Sequence, residues 1–331
     1  MAGICRKLVT LQSKLSISID MAVRNVQLDI TRGIAIVLMI IGHCSLFGGT
    51  TRYMIFSFHM PLFFIFSGYF FRSKPIMEVV SSGVERLVKP YLIYAIVIEV
   101  LLKLLNMKGI ITGMIEILYA HGGPKHTLFF PTETYLGAIW FLMAIFWCKI
   151  FYAGICKICK NYTYLSVMTA FAISWLAIYV GKYLLNMPFG LLTGASGLAF
   201  YGFGSILRNV SSIFLYITIP IWLVAVLFHL TNVDMVNFEY LFYPFDFICA
   251  IGGSLFVFLI SGILATNNKT RFLATFGVYS LEILCVHFLV MRVCDIMDCS
   301  SHSLTFFIVN ITIPFVLPLA YYKLKLGKIY G

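Results

Sequence analysis

Apolar residues along this chain gather into about ten long runs, at 33–47, 54–71, 90–106, 135–153, 162–180, 191–207, 211–230, 244–265, 276–293 and 302–322, parted by short polar breaks. A helix rising ~1.5 Å per residue needs about 20 apolar residues to cross a hydrocarbon layer ~30 Å thick. The pattern therefore predicts an all-α, polytopic integral membrane protein with about ten transmembrane helices. The longest stretch between runs, 107–134, carries HGGPKH at 121–126 and is expected to face outward.

Composition agrees: 61% of the 331 residues are hydrophobic and 11% charged, and the mean hydropathy is +0.95. Charge placement fixes the expected orientation. With the N-terminus in the cytoplasm, that side receives Arg6, Lys7, Lys14, Arg24, Arg32, Arg72, Lys74, Arg86, Lys89, Lys157, Lys160, Arg208, Lys269, Arg271, Lys323, Lys325 and Lys328. The opposite side and its flanks receive Arg52, Lys103, Lys108, Lys125, Lys182 and Arg292, and Lys149 lies inside a run. Such a bias places both termini in the cytoplasm. The net charge of +11 is then mostly a topology signal directed at the lipid bilayer and gives no case for nucleic acid. The expected organisation is a cytoplasmic N-terminal segment, 1–28, a transmembrane domain, 29–325, and a cytoplasmic tail, 326–331. The first segment lacks the apolar core of a cleavable signal, and Met21 is a second candidate start.

Nine cysteines are scattered over the chain. Cys156 and Cys159 form a CxxC that lacks the further ligands of a zinc site, so no metal is expected. Cys294 and Cys299, on the outer side, are placed where a disulfide is possible in an oxidising compartment.

Arg32 and His43 are the most informative pair. Eleven steps of ~100° return both side chains to one helix face, ~16 Å apart along the axis. Arg32 then stands at the membrane edge and His43 near mid-bilayer, where an ionisable group is costly and marks a functional site. The stretch LDITRGIAIVLMIIGH (Leu28 to His43) is followed within about fifteen residues by FHMPLFFIFSGYFFR (Phe58 to Arg72). Further on come RLVKPY (Arg86 to Tyr91), WFL (Trp140 to Leu142), FYGFG (Phe200 to Gly204) and SLEILCVH (Ser280 to His287). In order and spacing these resemble the acyltransferase-3 family of membrane O-acyltransferases, close to its fucose 4-O-acetylase-like branch. The resemblance implies about ten helices, a cytoplasmic acyl-CoA donor, a carbohydrate acceptor and a histidine at His43 needed for transfer. The chain is expected to lack the appended extracytoplasmic hydrolase-like domain of the longer members, and the basic pair often seen before the third helix is here Arg86 with Lys89.

The residues argue for the same chemistry on their own. A sugar hydroxyl is a poor nucleophile at neutral pH, so moving an acyl group to it from a thioester calls for a base, and imidazole suits that task. His43 is the candidate base, and Glu282, about six residues or ~9 Å into the ninth run, is the carboxylate expected to orient it if the two helices are neighbours. Arg32 completes the catalytic set through the family spacing, although it also fits a routine helix-end arginine paired with Asp29. Coenzyme A carries phosphates, and Arg72, Arg86 and Lys89 bracket one cytoplasmic loop where they could grip them, with Arg208 and Arg271 as additions. His59, Trp140 and Ser67 are candidates for contact with the acceptor. Each has an alternative: water or headgroup contact for His59, an aromatic-belt position for Trp140, and helix packing for Ser67 with Gly68. For His287, a packed helix hydrogen bond is the expected role.

The expected function is O-acetyl transfer from acetyl-CoA, used as a substrate with no tightly bound cofactor, to a cell-surface or exported carbohydrate or a lipid-linked glycan, in a bacterial inner membrane. A covalent acetyl-His43 relay is a second mechanism. The alternative class is a proton-coupled transporter or glycan flippase using His43 and Glu282 as a relay.

Overall fold

The computed structural model describes residues 26–104, 109–123, 125–126, 133–134, 136–183 and 187–330. The expected N-terminal segment up to residue 25, with Met21, lies outside the described residues, as do Lys108, Pro124 of the HGGPKH stretch and Gly331 of the tail. Helices dominate: α1 (Val26–Gly42), α2 (Gly48–Phe56), α3 (His59–Tyr69), α4 (Ile76–Gly83), α5 (Lys89–Leu104) and α6 (Ile110–Tyr119) form the first part of the chain. A π-helical turn, Val84–Val88, joins α4 to α5. After these come α7 (Trp140–Ile158), α8 (Thr163–Tyr183), α9 (Leu191–Ser196), α10 (Leu198–Ile206), α11 (Ser212–Leu227), α12 (Tyr243–Ala265), α13 (Leu273–Val278), α14 (Ser280–Ile296) and α15 (Leu304–Tyr330). The described strands make two small antiparallel ribbons, Lys125–His126 with Glu133–Thr134 and Val233–Asp234 with Glu239–Tyr240.

Helices α7, α8 and α12 are each long and apolar enough to cross a membrane alone. Three further apolar units are bent: Val26–Gly42 against Ser45–Tyr69 by 84°, Pro188–Ser196 against Leu198–Asn209 by 50°, and Asn268–Val278 against Ser280–Asp295 by 69°. Among the described residues, length and composition thus give three to six crossings, with α6, α11 and Leu304–Pro318 as shorter apolar helices, where the sequence pattern suggested about ten. Hydropathy registers an apolar run whether it is straight or broken. The first break follows Gly42, and the chain turns through Cys44 and a short 3-10 segment before Gly48, at φ +78°, a region open to glycine without steric cost.

Outward faces are apolar. On α5, Ile93, Ile96, Val97 and Val100 are exposed while Tyr91, Ala95, Ile98 and Leu102 are buried, so the helix is hydrophobic on both sides, as a lipid-facing helix must be. Inside the bundle, small residues set the approach of the helices. A Cβ placed on Gly33 would lie 2.2 Å from the Leu273 carbonyl oxygen, and one on Gly277 would lie 1.8 Å from that of Asp29, so α1 and α13 touch backbone to backbone. Gly68 of α3 and Gly204 of α10 meet the Tyr201 and Ile65 carbonyls in the same way. Lipid tails supply no hydrophobic drive between helices, and contact this close is how they associate instead.

Gly277→Ala is therefore expected to force α1 and α13 apart at a cost of about 1–3 kcal/mol. Gly154→Ala on α7, where an added Cβ meets nothing within 4 Å, is neutral or stabilising. Thermal unfolding of the two variants in detergent checks the contrast.

Candidate active site

His43 occupies the turn just past the end of α1, its backbone N–H reaching the Met39 and Ile40 carbonyls at 3.2 Å. Residues distant in sequence pin the chain beyond this turn. The Tyr53 hydroxyl on α2 donates to the Thr231 carbonyl, in a loop organised by fully buried Asp246, which accepts from the Thr231 hydroxyl at 2.8 Å, the Asn232 N–H at 3.0 Å and the Phe242 N–H at 2.8 Å. The Trp222 indole N–H donates to Ser57 at 2.9 Å, between α2 and α3. These bonds hold the stretch that carries Phe56 and His59.

Phe56 is the hub. Its ring meets His43 edge to face at 5.5 Å and His59 edge to face at 4.6 Å, while the Arg52 guanidinium lies over it at 5.0 Å; such contacts fix ring orientation as well as adding attraction. On its other side His43 meets His287 of α14, with ring centroids 5.6 Å apart. The half-buried imidazole of His43 makes no hydrogen bond among the described residues, so it is available to an incoming group. His59 is buried, and its Nδ1 lies 3.1 Å from the Ile55 carbonyl. A carbonyl only accepts, so Nδ1 carries a proton, and in the neutral ring Nε2 is the acceptor. His287 is fully buried, and neither of its ring nitrogens makes a hydrogen bond of normal geometry among the described residues, although the Asn310 backbone acts on the ring. His287 thus stands between His43 and the Asn310 backbone of α15.

The other end of α1 is cationic. Arg32 pairs loosely with Asp29 at 4.0 Å and lies 5.6 Å over the Phe70 ring. Arg86 projects exposed from the π-helical turn, a distortion found often at functional sites. Lys89 is exposed and paired with Glu85 at 2.5 Å, and Arg72 is exposed in the loop after α3. Arg208 lies 4.4 Å over the Tyr69 ring, and Arg271 donates to the Ala265 carbonyl at 3.4 Å. Half-buried Lys149 of α7 comes within electrostatic reach of both Arg86 and Arg32.

Residues 25–323 match the acyltransferase domain profile of the acyltransferase-3 family, nearly the whole of the described structure. The chain belongs to the acyltransferase-3 family. No curated protein and no solved structure matches it. It is a membrane acyltransferase, and the histidine cluster at the first helix break is the candidate centre of this acyltransferase-3 protein.

Other candidates fall outside that cluster. Glu282, in the first turn of α14, is half-buried and makes no hydrogen bond or ion pair with His43 among the described residues. The reason is angular: five residues separate it from His287, ~140° around the helix. His287 instead shares the face of Ile283 and Leu284, which pack with Ile36, Met39 and Ile40 of α1. Trp140 is buried against Gly122, where an added Cβ would lie 2.3 Å from its indole, and meets the Phe141 ring at 6.1 Å. Half-buried Ser67 lies two turns, ~12 Å, along α3 from His59. All described cysteines are free thiols, Cys294 and Cys299 included. No group of three or more ligands able to hold a metal occurs among the described residues. Sequence reasoning passed over Phe56, Arg52 and Lys149; for Lys149 a signal existed, since a cation inside an apolar run is as anomalous as a histidine.

Phe56→Leu releases both His43 and His59 from their ring contacts and is expected to lower acyl transfer at least about tenfold, as a misplaced catalytic group does. The variant should accumulate normally, and a transfer assay on purified protein gives the measurement.

Proposed function

We propose that this protein is an O-acetyltransferase of a bacterial inner membrane that moves acetyl from acetyl-CoA to a hydroxyl of a cell-surface or exported carbohydrate, with His43 as general base. The observation that carries this reading is His43 itself, an imidazole without a hydrogen-bond partner among the described residues, flanked by His59 and His287 and set along α1 from the cationic end.

Donor phosphates bind at the cytoplasmic face near Arg72 and Arg86, with Lys89 released from its exposed pair; such a pair is worth about 0–1 kcal/mol and yields readily to a phosphate. Arg32 lies between that face and His43, a separation of ~16 Å along the helix that an extended pantetheine arm spans. The acceptor enters from the side of Arg52 and His59. His43 takes the hydroxyl proton as the oxygen attacks the thioester carbonyl; the carbon–sulfur bond then breaks, and the leaving thiolate recovers that proton from the imidazolium. Acetyl ester and coenzyme A are the products. Glu282 acts in this scheme from the donor side, without a direct bond to His43. An acetyl-His43 relay gives the same products and is distinguished by whether the enzyme releases one equivalent of coenzyme A from acetyl-CoA when no acceptor is present.

Two substitutions test the assignment. His43→Gln keeps a hydrogen-bonding side chain but no base, and is expected to abolish coenzyme A release in the presence of glycan fractions while the protein still inserts; near-normal turnover would make His43 a packing residue. Arg86→Gln is expected to raise the KM for acetyl-CoA about tenfold or more and to leave acetyl-pantetheine, which lacks the phosphates, unchanged.

A further inference from the structure

Lys149 stands midway along α7, and an ammonium there is costly unless an anion or water meets it. Among the described residues no carboxylate does so: the charges acting on it are the Arg86 and Arg32 guanidiniums and the neighbouring Cys148 thiol. It makes no hydrogen bond or ion pair among the described residues. Packing explains how Arg86 comes within reach of Lys149. Gly83, at the end of α4, lies against the Phe146 ring, where an added Cβ would come within 2.8 Å. Leu87 and Val88 of the π-helical turn pack into the cluster that holds Phe146, Trp147 and Ile150, which keeps Arg86 on the flank of α7. Arg32, on α1, acts on Lys149 at longer electrostatic range. The acids nearby are spoken for, Asp29 beside Arg32 and Glu85 with Lys89. Lys149 thus feels two guanidiniums and, among the described residues, no carboxylate, a setting that a ligand carrying more than one negative charge suits.

We propose that Lys149, together with Arg86 and Arg32, forms a recessed phosphate site in which Lys149 is the deepest contact to the diphosphate of the acyl-CoA donor. The proposal rests on the donor reading above and adds a residue to it. Recession matters because the diphosphate lies nearer the thioester than the 3′-phosphate does, so a cation midway along α7 registers the pantetheine arm towards His43, while exposed Arg72 is left for the 3′-phosphate. A phospholipid headgroup carries the same phosphate chemistry, and the test separates the two sources.

Purified protein in detergent is titrated with coenzyme A, dephospho-coenzyme A and pantetheine. Lys149→Met is expected to weaken coenzyme A and dephospho-coenzyme A alike, by about tenfold or more, as loss of a charge-assisted bond does, and to leave pantetheine unchanged. Lys149→Arg should remain within about threefold of the wild type, and Lys149→Gln replaces Lys149→Met if that variant fails to accumulate. The assignment is overturned if Lys149→Met, folded by thermal unfolding, binds coenzyme A as tightly as the wild type, or if pantetheine weakens equally. A variant that keeps coenzyme A affinity but loses thermal protection by phosphatidylglycerol would assign the site to lipid and overturn it as well. Wild-type protein that binds no coenzyme A would overturn the donor reading itself, and Lys149 with it.

Discussion

Contact of α1 with α13 at backbone distance is the constraint from which the site follows. Gly33 and Gly277 each face a carbonyl of the opposite helix, with no room for even a methyl group. That contact fixes the position of α1, and with it the point at which α1 ends in His43. It also fixes where the broken unit resumes as α14, and so where His287 stands. A membrane interior offers no hydrophobic reward for helix association, so precision has to come from contact of this kind and from the few polar bonds available. The bonds at Tyr53 and Ser57 serve the same end from the other side.

Much of this was legible in the residues. The Arg32 and His43 spacing, the motif from Phe58 to Arg72 and the later landmarks from Arg86 to His287 led to the family, and the apolar runs to a helical membrane fold. Geometry at the breaks was not legible, because an apolar run reads the same whether the helix is straight or turns by 84°. Glu282 shows a different kind of limit. Depth in the membrane can be counted from sequence, but the partner of His43 is decided by azimuth, and the ~140° between residues 282 and 287 carries the glutamate away from the face that meets α1. Phe56 was hidden for a third reason: it is one of 31 phenylalanines, and only tertiary contact distinguishes it.

Chemistry and topology divide along α1. The end that carries Arg32 gathers arginine and lysine, and the far end gathers imidazole and aromatic rings. Broken helices near mid-membrane are also used by transporters to present backbone and charged groups to a substrate; here the first and last breaks frame an imidazole cluster. The same device serves group transfer as well as translocation, since both require a polar centre reached from two sides and sealed from lipid.

The His43 and His287 contact has a consequence for how the protein is made. Its two halves are separated by most of the chain, so they meet only after the last helices have emerged and inserted, and such distant pairings form late. A nascent chain carrying α1 to α12 already displays His43 but lacks the partner face of α14 and the clamp of α13. Biogenesis therefore leaves the histidine cluster incomplete until synthesis is nearly finished, and a truncated product has no assembled cluster.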